Sequence, residues 1–161
     1  MLAEIVGFAS FAAKQDENEV HLVNQRYEAM NQALLRAGVK ASQIGAVHVS
    51  ARGLRRDDEL EAKALEKLFG SVPLKPLLTS VKPLTGFMGY AAAPTEVALA
   101  ALGLHKNSSL STLPIKDFIL DGRFEMSTSK RQAKDPGYIL VNHFESKLSL
   151  HSMVLKKWSE K

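Results

Sequence analysis

Apolar and polar positions along the chain alternate in two rhythms, and the switches between them mark its elements. Ala3 to Ser10, AEIVGFAS, is a short apolar run of strand length. A helical pattern follows from about Asn18 to Ala37, where Val20, Val23, Tyr27, Met30, Ala33 and Leu34 share one face and Gly38 is a stop signal. A second strand is expected at Ala46 to Ser50, and Asp57 or Asp58 is the expected cap of a helix ending near Phe69-Gly70. Lys75 to Val81 reads as a third strand. Pro114, Asp121-Gly122 and Asp135-Pro136-Gly137 punctuate a turn-rich stretch. Two β-like runs then close the chain, Tyr138 to Phe144 and Leu148 to Trp158. Their short link, Glu145-Ser146-Lys147, predicts an antiparallel hairpin at the end of the sheet. Strands alternating with helices argue for an α/β fold with a mostly parallel sheet.

Between the third strand and the turn-rich stretch lies SVKPLTGFMGYAAAPTEVALAALGL, Ser80 to Leu104. It is rich in Ala and Gly and poor in charge, and a helix apolar all round is expected to be packed on several sides. Pro94 is tolerated only in a first turn, so the helix is expected to begin near it, with Gly86 to Ala93 as an irregular lead-in.

The 161 residues fit one domain, 1–161, large enough for a sizeable core. No apolar run has the length of a bilayer span, and the start, MLAEIVGFAS, lacks a basic segment and a cleavage site. With no Cys there is no disulfide framework, so the expectation is a cytoplasmic protein with no membrane association. The absence of Cys also removes thiolate nucleophiles and thiolate metal ligands. A net charge of +4 favours an acidic partner. Nucleic acid is not expected, because only Arg52, Arg55 and Arg56 cluster and no aromatic residues interleave with them.

Candidate chemistry is sparse. None of His21, His48, His105, His143 and His151 forms a metal pair at helical spacing, and neither a metal nor a cofactor is expected. His48 and Ser50, two apart at a strand end, are expected to share a face where α/β folds place ligands. A nucleophilic Ser50 paired with His48 or His143 would need a base held by a third group, and none is apparent. Lys82 is placed either to meet an anion or to form a buried pair with Glu96, and a structural ion pair is the expectation.

Taken in order, ELEAKALEKLFG (Glu59 to Gly70), TSVKPLTGFMGYAAAPTEVALAALGL and NHFESKLSLHSMVL resemble the C-terminal half of the β-ketoacyl-acyl carrier protein synthase family. AEIVGFAS resembles the strand that opens that half, so the likeness covers nearly the whole chain. The resemblance implies a thiolase-like half: a five-stranded, mostly parallel sheet with an antiparallel last strand and helices on both faces. In the family, two such halves share a central layer of helices.

The departures from the family pattern fall on its chemistry. Counting back from Glu61, the His of the family's His-Gly-Thr-Gly-Thr motif falls on Ser50, followed by Ala51, Arg52, Gly53 and Leu54. Counting from Lys82, the second catalytic His falls on Phe87, while Lys82, Gly86 and Glu96 match. Asn142 and Phe144 match the family's Asn-x-Phe, but the Gly-rich loop that should follow has no Gly. The nucleophilic Cys belongs to the family's other half. The resemblance therefore implies no catalytic residue here and a non-enzymatic role: an accessory subunit in fatty acid or polyketide-type biosynthesis, resembling a chain-length factor. The implied partner is a second copy or a ketosynthase, with an acyl carrier protein as a further one. The alternative is an acyl-ligand-binding or scaffold homodimer, with Phe87 and Met88 lining the pocket.

Overall fold

The computed structural model describes residues 1–14, 18–113, 120, 122–128, 136–145 and 148–159. Pro114, Asp121, Asp135, Ser146 and Lys147, named above as turn and link residues, lie outside them.

Five strands form one sheet in the order β1-β5-β4-β2-β3, with β1 at Ala3–Ala12, β2 at Ile44–His48, β3 at Leu77–Thr79, β4 at Tyr138–Glu145 and β5 at Ser149–Lys157. β2 pairs parallel with β3 and β4, whereas β5 runs antiparallel to both β4 and β1. Four strands thus share one direction and the last is reversed, as expected. The hairpin of β4 and β5 is not at the sheet's end, because β1 returns to pair along the whole of β5 and takes the edge.

The first helix, α1 (Glu19–Ala37), starts as its sequence dictates: the Asn18 side chain accepts from the Val20 N–H at 2.9 Å. Gly38 closes it at φ 65°, where a side chain would be strained. α2 (Arg55–Phe69) starts differently. Neither Asp57 nor Asp58 is its cap; the cap is Leu54, which has no side-chain hydrogen bond, and both acids lie in the first turn. α1 and α2 cover one sheet face, burying Met30, Ala33, Leu65 and Phe69 against Val47, Leu78, Leu140 and Val154.

Ser80 to Leu104 breaks into three pieces. α3 (Lys82–Thr85) is a single turn closed by Gly86 at φ 70°, a 3-10 turn follows at Gly89–Ala91, and α4 runs Ala92–His105. Pro94 is therefore third in its helix, where its missing N–H costs nothing. α4 covers the other sheet face, with Ala100 and Leu104 against Ala46, Ile139, Val141 and Leu155. It is packed on one side, not several: Ala92, Glu96, Ala100, Gly103 and Leu104 are buried, while Pro94 and Ala98 are exposed.

Candidate functional site

The site lies where β2 ends and the chain turns into α2. Two acids spaced three apart on α2, Asp58 and Glu61, point back at that turn and between them hold four successive backbone amides. Glu61 accepts from the Ser50 N–H at 2.9 Å and the Ala51 N–H at 3.1 Å. Asp58 accepts from Arg52 at 3.0 Å and Gly53 at 3.1 Å. The grip forces the backbone into the left-handed region at Ala51 (φ 35°) and Gly53 (φ 77°), a conformation that costs Ala more than Gly.

Glu61 is buried, and burial pushes its carboxyl up against the lowering effect of Ser50, Ala51 and Asn142, which donate to it. Asn142 donates to Glu61 at 3.1 Å and accepts from the Ser152 hydroxyl at 2.9 Å, so the network runs from β5 through β4 to the turn. Ser50 adds a second clasp: its Oγ donates to the Phe144 carbonyl at 3.2 Å and accepts from the Phe144 N–H at 2.9 Å. Ser50, Asn142 and Phe144, far apart in sequence, thus meet at one strand end. The Phe144 ring itself is buried in the core under α1 and α2.

Phe87 follows Gly86 in the turn beyond α3 and is half-exposed. The Arg52 guanidinium stands over its ring, 4.9 Å from the centroid, and reaches Glu145 at 3.9 Å. Lys82 and Glu96 are both buried and in direct contact, tying the start of α3 to α4. Burial raises the Glu96 pKa to about 7, against the lowering effect of Lys82. His48 is buried with neither ring nitrogen hydrogen-bonded among the described residues. Burial, with Lys82 second, pushes its pKa down to about 4.

β2 stops at His48, so strand alternation does not extend to Ser50, and no hydrogen bond joins the two. His21 and His105 are exposed, and His143 pairs across the sheet with His151, while the Ser50 hydroxyl bonds to the Phe144 backbone. Arg52, Asp58 and Glu61 were not picked out by sequence as a working group. Their signal was present in two acids spaced to face one way, directly after a turn containing Gly53. Among the described residues, no three His, Cys, Asp or Glu side chains gather to hold a metal. No helix among them is long and apolar enough to cross a membrane.

The arrangement is a hydrogen-bonded scaffold that ties the turn after β2 to α2 and to the ends of β4 and β5. Residues 2–116 match the family described as Beta-ketoacyl synthase, C-terminal domain. The chain is 26% identical over 121 residues to 3-oxoacyl-[acyl-carrier-protein] synthase 2 of Coxiella burnetii, covering 71% of this chain and 28% of that one. It is 32% identical over 108 residues to the mitochondrial 3-oxoacyl-[acyl-carrier-protein] synthase of Arabidopsis thaliana, covering 64% and 23%. The chain thus spans less than a third of these relatives. Among solved structures, the PfaC keto synthase-chain length factor superposes over 100% of this chain and 18% of its own, with a TM-score of 0.84 and 26% identity. The ishigamide ketosynthase/chain length factor superposes over 98% and 38%, with a TM-score of 0.83 and 17% identity.

Proposed function

The chain belongs to the beta-ketoacyl synthase family through its C-terminal domain, and from that premise we propose that it is a non-catalytic, ketosynthase-like accessory subunit in fatty acid or polyketide-type biosynthesis. The observation that carries this reading is what fills the two imidazole positions. Decarboxylative condensation needs donors aimed at the enolate oxygen as charge develops there. Ser50 has its hydroxyl engaged as donor and acceptor on the Phe144 backbone, and Phe87 offers a ring with a guanidinium over it. Neither can replace an imidazole in that step.

The outward side of α4 supports a partner. Pro94 and Ala98 are exposed there, and Leu84, Phe87 and Tyr90 add apolar surface in the preceding turns. A catalytic ketosynthase is the partner proposed, in line with the ketosynthase/chain length factor pairs that share this fold. The net charge of +4 suits an acidic acyl carrier protein as a further partner. The test is co-expression of the tagged chain with a ketosynthase from its own biosynthetic cluster. Co-elution, with condensation abolished by alkylating the ketosynthase thiol and unaffected by treating this chain alone with iodoacetamide, supports the proposal. Elution of the chain by itself as a stable two-fold dimer overturns the heteromeric assignment in favour of the scaffold alternative.

A further inference from the structure

Between Lys82 and Ala92, both buried, the chain runs through residues 83–91, and none of these is buried. Among the described residues, their hydrogen bonds reach no farther than Val81 on one side and the first turn of α4 on the other. Gly86 and Gly89 take φ 70° and 56°, and a Cβ at either would meet nothing within 4 Å. Glycine is needed there for backbone rotation and not for packing. A segment without buried side chains or outward hydrogen bonds has little local stability of its own.

Two ties hold the segment in place. One is the Arg52 guanidinium over the Phe87 ring. The other is at its root, where the Lys82 ammonium meets Glu96 Oε1. Glu96 Oε2 is buried without a partner, so among the described residues Lys82 is the one group that meets this carboxylate. Glu96 shares its helix face with the buried Ala92 and Ala100, one turn to either side, and Ala100 packs on the sheet. The carboxyl therefore stays buried whether or not Lys82 is beside it. We propose that residues 83–91 form a flap latched by Lys82 on Glu96, and that a proton taken up by Glu96 releases it.

The sign follows from linkage. Burial raises the Glu96 pKa to about 7, and Lys82 works against that rise. The state in which Lys82 has left therefore holds the proton more tightly than the latched one, and falling pH favours it. A neutral Glu96 also leaves a buried ammonium without its counter-charge, which drives Lys82 to solvent on its flexible stem. The other groups that feel Lys82 are Asp58 and Glu61 of α2, His48 of β2 and His143 of β4, and Glu61 also acts on Glu96. Asp58 and Glu61 are committed to the turn after β2 and do not take Lys82 over. His48, with a pKa of about 4, stays neutral through the range in which Glu96 titrates, whereas a charge on His143 would push Lys82 the same way. The flap carries Leu84, Phe87 and Tyr90, so the latch sets the shape of the surface proposed for a partner. It is a property of the isolated chain and stands without that partner.

The test is ¹⁵N relaxation on the full chain, read as amide order parameters at about pH 8.5 and about pH 5.5. Amides 84–91 are expected at about 0.85 at the higher pH and below about 0.6 at the lower, with the α1 amides rigid at both. Glu96→Gln carries an uncharged side chain at every pH and is expected to give the low values at both. His143→Gln is expected to keep the pH response, which separates Glu96 from that imidazole. Lys82→Met has no charge to expel, so it is expected to remove the response, and it is the second variant should Glu96→Gln fold poorly. Order parameters that do not change with pH in the wild-type chain, or an undiminished response in Glu96→Gln or Lys82→Met, overturn the proposal.

Discussion

Glu61 holds more of the site together than Ser50 or Phe87 does. It accepts hydrogen bonds from Ser50, Ala51 and Asn142, and removing it leaves the Ser50 and Ala51 amides unpaired and Asn142 with only the Met30 sulfur as acceptor. Glu61→Ala is expected to cost about 3 kcal/mol or more in urea unfolding, because unmet buried donors each carry a desolvation penalty. Ser50→Ala, which breaks a two-way clasp on Phe144, is expected to cost about 1–2 kcal/mol. If it instead unfolds at the wild-type urea concentration, the Ser50 clasp on Phe144 adds nothing to stability.

His48 gives a pH signature. With its folded pKa near 4 and an ordinary value of 6.5, the unfolded chain takes up the proton first as pH falls. This residue's contribution is intact above pH 6.5 and is lost progressively towards pH 4, by about 3 kcal/mol at most. Glu96, raised towards 7, acts in the opposite sense, since its stability cost appears as pH rises from 4.5 to 7. The His48 effect is therefore read as the difference between wild-type and His48→Asn stability over pH 4–6.5. That difference is expected to slope upward with pH, and a flat one shows that the ring is protonated in the fold. At this scale positions 50 and 87 stand out in the sequence only through the family spacing from Glu61 and Lys82. The Arg52–Phe87 stack was not legible, since it joins two turns that only the sheet brings together.

Among the elements, β1 and α4 are set by close approaches. Gly7 lies where a Cβ would stand 2.2 Å from the Ala33 carbonyl oxygen and 2.8 Å from the Ala37 Cβ, so β1 and α1 touch backbone to backbone. Gly7→Ala must push the helix off the strand and is expected to cost about 3 kcal/mol, seen as a melting temperature lower by roughly 6–12 °C. The ends of α1 were legible because Asn18 and Gly38 are local signals. The placement of β5 between β1 and β4 was not, because strand order is decided by pairing between residues some 150 positions apart. The break between α3 and α4 was partly legible through Pro94 and the glycines. Its completion rests on Gly86 and Gly89 taking positive φ, which composition alone does not disclose.

At the scale of the whole molecule, the sheet is covered by helices on both faces, yet α4 still presents apolar surface outward. Ala98 is exposed, so Ala98→Glu is expected to change folding stability by no more than about 0.5 kcal/mol. The same variant is expected to abolish co-elution with the ketosynthase, because it places a charge at the centre of the proposed contact. Retained co-elution would move the contact elsewhere on the surface. Family membership, fold and the residues at 50 and 87 all bear on the proposed role, in which the chain contributes structure and no proton chemistry to a ketosynthase partner. The measurement that tests it most directly is carbon dioxide release from a malonyl-acyl carrier protein. It is made with the chain alone and with a ketosynthase partner whose nucleophilic Cys and catalytic His residues are replaced. No release above the uncatalysed rate is the expected result in both mixtures, whereas release that depends on this chain and scales with its concentration would contradict the account.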